Sequence, residues 1–398
     1  MHIVITTPSF PPATGGVARV AERQAVQLAQ RGHRVTVITG CAAAIDAGSS
    51  THQGVEVVRL HVRTGRFPAY AAGDLLGVAR RPARARYQQL LRRSDADVLV
   101  SHCWQAWNTD WAVDIADRLR FPICLYSHGT SVNETAGRIG WLRWLRWRSY
   151  ALMRIPRTLR SITVLIHLDE KTDLNRFYDA TQARRLAVAI AIVPNCASTE
   201  LQRARAWAPE ALATPNLALS VGKYSDEKNP VQVLDAFLGH APPGWTLVLC
   251  GSQRTPYLDA LEQRYADAAR RGSVAPVLFL AGPTQAELMG LYRRAQLFLA
   301  ASRTECQPLV LLDAMAAGVP FLSTDVGCVR SLPGGMVARN VADFDAGASA
   351  LMNDAGLRTR LADAGRLAHR ATYNCAATLH RLETVLAQAV EASGSRRA

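Results

Sequence analysis

The sequence predicts an α/β protein of two doubly wound domains, each a parallel sheet with crossover helices. Three observations favour this class: the 398 residues exceed one ordinary core, apolar runs of strand length alternate with helical stretches, and the alternation restarts after Asn195. In open sheets of this kind, ligands bind beyond the carboxyl ends of the strands. We therefore look for functional residues in the loops that follow strands.

The first predicted domain comprises residues 1–197. Its candidate strands are short apolar runs, and the first helix, over 17–32, ends in a glycine as helices commonly do. The candidate strands are residues 2–8, 33–39, 54–62, 97–102, 121–128, 161–166 and 187–194.

The second predicted domain comprises residues 214–375. Thr284 and Glu287 have the spacing of a capping box at the start of one of its helices. We expect this domain to face the first across a cleft, and residues 376–398 to form a helix that could cross back to the first domain. The candidate strands are residues 217–222, 245–250, 276–282, 296–301 and 319–324, and the candidate helices between them are 229–239, 256–271 and 284–294.

Composition excludes several classes of protein. No apolar run approaches the ~18 residues of a membrane-spanning helix, and the opening MHIVITTPSFPP lacks the basic region of a signal peptide. The eight cysteines show no CxxC spacing, so we expect neither a zinc site nor a redox motif. Scattered cysteines of this kind are typical of a reducing cytoplasm.

Charge is distributed unevenly along the chain. Residues 1–197 hold 26 Lys and Arg against 14 Asp and Glu, a net charge of +12, whereas the remainder holds 20 against 18. The stretch from Arg59 to Arg93 has nine arginines and a single acid, Asp74. This excess indicates an anionic surface or a large anionic partner for the first domain.

The stretch TECQPLVLLDAMAAG (304–318) predicts a helix over 307–317 that could hold a ligand at its start. Pro308 is tolerated in a first helical turn, and Gly318 is a stop signal. The first-turn amides would be a ready anion site, with Glu305 in the loop before them and Asp313 in the helix wall. The alternative is a plain core helix.

Three further loops follow predicted strands and are candidate sites. Gly15-Gly16 would let a ligand approach the first helix closely, and His128 could donate a hydrogen bond to a sugar hydroxyl or phosphate. Lys223 and Lys228, after Gly222, could neutralise a leaving diphosphate. Each could instead have only a structural role. Gly15-Gly16 would then be a connecting turn, His128 a hydrogen-bonded loop histidine, and the lysines part of a solvated charged loop.

The order of GGVAR, HG, GKYSDEK and E-x7-D is similar to that of the retaining GT-B glycosyltransferases of family 4, also called glycosyl transferases group 1. RGHRVTVIT and VPN (193–195) match that family's framework as well, so the resemblance covers about residues 2–375. It implies two facing Rossmann-like domains with an interdomain cleft. It also implies hexosyl transfer with retention from a UDP- or GDP-sugar, without a cofactor or a metal ion.

The resemblance also implies roles for individual residues. Gly15 and Gly16 would lie near the donor phosphates and the acceptor, His128 by the transferred sugar, and Asp313 on the nucleotide ribose. This chain departs from the family where ECQP replaces EGFG, where Lys223 replaces an arginine and where Asp313 replaces a glutamate. The implied catalytic residues are His128, Lys223, Lys228 and Glu305; the other implied donor-binding residues are Gly15, Gly16, Gly222, Cys306, Gln307, Leu309 and Asp313.

Residues 138–160 hold seven arginines, three tryptophans and no acid. On a helix, Trp141, Trp144 and Trp147 share one arc with Leu145, Ala151 and Leu152; Arg143, Arg146, Tyr150 and Arg154 share the opposite arc. A basic amphipathic helix of this kind suits an anionic membrane surface. The alternative is that the tryptophans pack on the domain core; nucleic acid is disfavoured because no recognised binding module is present.

Together these patterns predict a glycosyltransferase that acts at the cytoplasmic face of the plasma membrane as a peripheral protein. Its acceptor would be a lipid-linked or cell-envelope glycan, as in envelope polysaccharide or lipopolysaccharide biosynthesis. One alternative is a catalytically silent nucleotide- or glycan-binding protein on the same fold, motivated by ECQP. Another is a nucleotide-sugar epimerase, which would turn over a donor without any acceptor.

Overall fold

A computed structural model shows two compact units, one of Met1–Pro194 with Leu379–Ala398 and the other of Asn195–Thr378. The second unit begins earlier than the predicted second domain, because Ala197 and Leu201 pack in its core. The residues that the structure describes are 1–62, 81–130, 140–170, 177–207, 209, 215–272 and 274–395.

The first unit is built on a sheet with eight strands in its described part, in the order β3-β4-β2-β1-β5-β6-β7-β8. Neighbouring strands are parallel except β3, which pairs antiparallel with β4. The strands are β1 (His2–Thr7), β2 (Arg34–Cys41), β3 (Gly48–His52), β4 (Val55–His61), β5 (Val98–His102), β6 (Ile123–Tyr126), β7 (Val164–His167) and β8 (Ala189–Ile192). The helices are α1 (Gly16–Gln30), α2 (Arg81–Arg93), α3 (Trp107–Val113), α4 (Gly140–Ser161) and α5 (Tyr178–Arg185).

The second unit is built on a parallel sheet with six strands in its described part, in the order β11-β10-β9-β12-β13-β14. The strands are β9 (Asn216–Val221), β10 (Trp245–Gly251), β11 (Val277–Ala281), β12 (Leu297–Ala300), β13 (Phe321–Thr324) and β14 (Gly335–Ala338). The helices are α6 (Pro230–His240), α7 (Pro256–Arg271), α8 (Gln285–Arg294), α9 (Leu309–Ala317), α10 (Val341–Asn353), α11 (Ala355–Ala368) and α12 (Cys375–Ser395). The last of these runs into the segment that groups with the first unit.

The predicted α/β class with two parallel sheets is confirmed, and the central strands form for the reason the sequence suggests. Their apolar residues are covered on both faces: Ile3, Val4 and Ile5 of β1 are at most 1% exposed. The sequence pattern misses two edge strands. Strand β3 is polar and largely exposed, and β14 is a four-residue strand that begins with a glycine.

The helix predicted over 307–317 is confirmed as α9, although it is two residues shorter than predicted. It begins at Leu309 because Pro308 has extended backbone (φ −69°, ψ 118°) and serves as the N-cap. It ends at Gly318, whose φ of 73° lies in the left-handed region where glycine has no steric cost. Asp313 lies in its second turn and is buried.

Cys196 and Cys375 form a disulfide bond across a sequence separation of 179 residues. Both cysteines belong to the second unit, one at its start and one near its end. The sequence does not indicate this bond, because spacing identifies only local cysteine motifs. The remaining six cysteines take part in no disulfide bond within the described part of the chain.

Candidate functional site

Glu305 is held firmly in the loop between β12 and α9. Its Oε1 lies 2.5 Å from Nζ of Lys228 and 2.9 Å from the Ser302 hydroxyl, which donates to it. Thr324, at the end of β13, donates to the backbone oxygen of Ser302 at 2.6 Å. Residues at the carboxyl ends of three neighbouring strands, β9, β12 and β13, therefore fix this carboxylate directly or through Ser302.

Lys228 reaches Glu305 from the loop after β9. The lysine stem lies on Gly222, where an added Cβ would come within 3.4 Å of it. A turn supports the lysine, since the Lys228 amide donates to the backbone oxygen of Ser225 at 3.2 Å. Lys223 is exposed, and among the described residues no carboxylate forms an ion pair with it.

Arg303 is a cation of this site that the sequence motifs do not indicate. Its guanidinium lies 3.1 Å from the Asp226 carboxylate, and its backbone amide donates to the backbone oxygen of Glu227 at 2.8 Å. These contacts tie the loop after β12 to the loop after β9. Two basic side chains therefore lie at the loop that enters α9: Lys228, which contacts Glu305, and Arg303, which belongs to the loop.

The ECQP substitution gives this loop contacts of its own. The Gln307 side-chain oxygen accepts the backbone N–H of Asn195 at 2.7 Å. The Cys306 oxygen accepts the Cys328 amide at 2.7 Å, and an added Cβ on Gly327 would meet that oxygen at 2.1 Å. The loop is thus anchored on two sides.

Leu309 and Asp313 belong to α9, the helix that follows this loop. Oδ1 of Asp313 accepts the backbone N–H of Ser198 at 2.6 Å, so the carboxylate holds the segment that begins the second unit. Leu309 is partly buried against the apolar core of this unit. A contact between Asp313 and a nucleotide ribose stays a prediction.

Gly15 and Gly16 mark the start of α1 in the first unit. Gly15 is its N-cap with a φ of 143°, a backbone conformation that favours glycine. A Cβ added at either position would meet nothing within 4 Å. A side chain at either position would therefore project into open space, and the approach of a ligand to this turn stays a prediction.

His128 follows β6 in the first unit and lies beside a second histidine that the sequence reasoning missed. Nε2 of His128 is 3.0 Å from Nδ1 of His102, the last residue of β5. Burial lowers the pKa of His128 to about 4, and burial, with the neighbouring His128, holds the pKa of His102 well below its usual value. A repeated Ser-His dipeptide could have indicated this pair: residues 101–102 end β5, and residues 127–128 directly follow the neighbouring strand β6.

The basic, tryptophan-rich segment forms α4, but its predicted faces are partly wrong. Tyr150, predicted on the polar arc, is 2% exposed and donates to Asp110 at 2.7 Å. Arg154 also turns inward and lies 2.9 Å from Asp114. The helical wheel misses this because the carboxylates come from and just after α3, far along the sequence.

The outward face of α4 presents apolar side chains. Trp147 is buried with the core, whereas Trp144, Leu145, Leu152 and Met153 are 40%, 50%, 75% and 54% exposed. Nearby, the Arg148 guanidinium lies 5.5 Å from the Trp144 ring centroid. The side chains of Trp141, Arg143 and Arg146 lie outside the described residues, as do residues 63–80 of the arginine-rich stretch.

The described residues lack two features that would suggest other functions. No helix there is both long and apolar enough to cross a membrane. No group of three or more His, Cys, Asp or Glu side chains there could hold a metal ion.

Two family models match the chain and together span most of it. The model described as Glycosyl transferases group 1 matches residues 204–367, and the one described as Glycosyl transferase 4-like domain matches residues 15–196. The parallel-sheet units and these matches define a glycosyltransferase with the GT-B fold. The chain belongs to the GT4 type of these enzymes.

The chain is also similar to individual proteins and to a solved structure. A D-inositol 3-phosphate glycosyltransferase from Nocardia farcinica (strain IFM 10152) is 26% identical over 99% of this chain and 90% of its own length. The lipopolysaccharide core biosynthesis mannosyltransferase LpsB from Rhizobium meliloti (strain 1021) is 30% identical over 28% of this chain, which spans about a third (32%) of that protein. The structure of Anabaena Alr3699/HepE in complex with UDP and glucose shares the fold, with a TM-score of 0.72 at 14% identity over 98% of this chain and 100% of that one.

Proposed function

We propose that the chain transfers a hexose, with retention, from a UDP- or GDP-sugar to a lipid-linked or cell-envelope glycan at the cytoplasmic membrane face. The observation that carries the donor assignment is the pairing of Lys228 with Glu305 in the loop that enters α9. Anabaena Alr3699/HepE, which shares the fold, was solved with UDP and glucose. The LpsB mannosyltransferase, which matches part of this chain, acts in lipopolysaccharide core biosynthesis.

The proposed chemistry is stabilisation of a leaving nucleoside diphosphate. Negative charge develops on the diphosphate as the sugar bond breaks, and prepositioned cations stabilise that charge most when they need no reorganisation. Lys228 is prepositioned by Glu305, and Lys223 is exposed and available from the same loop. We propose that these two lysines replace a divalent metal ion, and that Glu305 accepts hydrogen bonds from the sugar hydroxyls.

Donor turnover tests this function. The protein is incubated with UDP-glucose, GDP-mannose or ADP-glucose and a detergent extract of membranes from the source organism, and release of nucleoside diphosphate is followed. We expect release with a UDP- or GDP-sugar, unchanged by EDTA. The anomeric proton coupling of the product should show the configuration of the donor sugar.

Each competing function gives a different result in this experiment. An inverted product contradicts retention, and loss of the rate in EDTA contradicts metal independence. Absence of release with all donors favours the silent binding protein. A changed donor sugar without an acceptor favours the epimerase.

The membrane part of the proposal uses the outward face of α4. We propose that Trp144, Leu145, Leu152 and Met153 insert at the interface of an anionic bilayer, with Arg148 and Arg160 among the lipid headgroups. Each basic group near such a surface strengthens membrane binding by roughly 1 kcal/mol. Helices that lie in a membrane interface combine apolar side chains with basic residues, and α4 has both.

Vesicle flotation tests the surface. The wild type should float with phosphatidylglycerol-containing vesicles, and Leu152→Asp with Arg148→Glu should weaken binding by about a hundredfold through the lost headgroup contact and burial. Ile45→Asp is the matched control, because Ile45 is 92% exposed in the same unit but not on α4. Arg154 is avoided because it pairs with Asp114. Equal flotation of the double variant and the wild type contradicts the proposal.

A further inference from the structure

The two histidines at the ends of β5 and β6 form an edge-to-edge pair. Their ring centroids lie 5.3 Å apart with planes inclined by 26°, and Nδ1 of His102 lies 3.0 Å from Nε2 of His128. This is the arrangement that an N–H···N bond between two imidazoles requires. His102 also stacks on Tyr126, with centroids 5.1 Å apart and planes inclined by 20°.

His102 is fixed inside the first unit. Its side chain is fully buried, and its backbone oxygen accepts the Asn108 side-chain amide at 2.9 Å. Its remaining ring nitrogen, Nε2, is buried and has no hydrogen-bond partner in the described part of the chain. Burial keeps both rings neutral near pH 7, because it lowers their pKa values.

Each neutral ring carries one N–H, and only one of these two protons can lie between Nδ1 of His102 and Nε2 of His128, so there are two possible arrangements. If His128 donated from Nε2, His102 would keep its own proton on Nε2, a buried N–H without an acceptor. If His102 donates from Nδ1, its buried Nε2 carries only a lone pair. Buried N–H groups without an acceptor are the rarer defect, so the second arrangement is favoured.

We infer that His102 is a positioning residue that holds the proton of His128 on Nδ1, so that His128 meets its ligand as a hydrogen-bond donor through Nδ1. The inference rests on the proposed function together with the predicted place of His128 by the transferred sugar. A neutral Nδ1–H matches a sugar hydroxyl or a phosphate oxygen as acceptor. His128 would then orient the substrate rather than take up a proton.

The tautomer is measurable without any ligand. Long-range proton–nitrogen correlation NMR of protein labelled with nitrogen-15 histidine, assigned with His128→Phe, should show a protonated Nδ1 and an unprotonated Nε2 on His128. A nitrogen–nitrogen coupling between Nε2 of His128 and Nδ1 of His102 should be observed across the hydrogen bond. A proton on Nε2 of His128 overturns the inference whether or not the protein turns over a donor.

His102→Phe keeps a ring on Tyr126 but removes the donor nitrogen. We expect mixed tautomers of His128. With the donor that the wild type turns over, kcat should fall by about tenfold with little change in KM, which is the effect of one misplaced hydrogen bond. His167→Phe, at the end of β7, is the matched control: this histidine is equally buried but bonds to neither His102 nor His128. An unchanged kcat in folded His102→Phe overturns the positioning role, whereas absent turnover in a wild type that shows the expected tautomer contradicts the proposed function instead.

Discussion

Lys228→Ala is expected to lower kcat/KM for the nucleotide-sugar by a factor of ~10²–10³, the usual cost of removing one prepositioned electrostatic group from an active site. The variant loses the ammonium that we place on the diphosphate. It also leaves the half-buried Glu305 carboxylate, 2.5 Å away in the wild type, without its cation. That carboxylate would then repel the leaving group. Initial rates of nucleoside diphosphate release, with the donor that the wild type turns over, measure the effect.

Two further variants separate the site from general charge effects. Arg264→Ala breaks an ion pair of similar length, 2.6 Å to Asp235, on the exposed surface of the same unit, and should change the rate less than about twofold. Adding Glu305→Gln to Lys228→Ala removes the uncompensated carboxylate, so the two losses should not add. A wild-type rate for Lys228→Ala contradicts the assigned role of this lysine.

Reduction of the Cys196–Cys375 bond should lower the free energy of unfolding of the second unit by about 5 kcal/mol. The bond closes a loop of 179 positions, and the chain-entropy model gives a larger stabilisation for a longer loop. The two cysteines lie near the two ends of this unit, so nearly the whole unit is enclosed. Urea unfolding with and without a reducing agent measures the difference.

Cys196→Ser should reproduce the effect of reduction and make the protein insensitive to the reducing agent. Cys41→Ser is the matched control, since this free thiol lies in the first unit and should leave the effect of reduction unchanged. Unfolding curves of the wild type that coincide with and without reductant would show that the bond does not constrain the unit.

The sequence predicts most of the central architecture because parallel strands are buried on both faces and therefore form continuous apolar runs. It predicts less well where the reason for a structure lies far along the chain. Tyr150 and Arg154 resemble surface residues of an amphipathic helix until Asp110 and Asp114 are placed beside them. The edge strand β3 has no apolar signal, because four of its five residues are exposed and polar or small residues suffice there.

In the candidate site, too, local motifs predict some features, whereas others depend on distant residues. Glu305 and Lys228 are predicted from local motifs, and the structure brings them together. The contacts that fix the surrounding loop come from distant residues: Asn195 reaches Gln307, and Ser198 reaches Asp313. No local pattern encodes such contacts, and the same holds for the pairing of His102 with His128.

We propose that the loop entering α9 holds a nucleoside diphosphate with the help of Lys228. Calorimetric titration of the wild type, Lys228→Ala and Asp313→Ala with UDP, GDP and ADP tests it most directly. We predict that UDP or GDP binds the wild type and that both substitutions weaken this binding. No binding of any of the three nucleotides to the wild type, or equal binding to Lys228→Ala, would contradict the account.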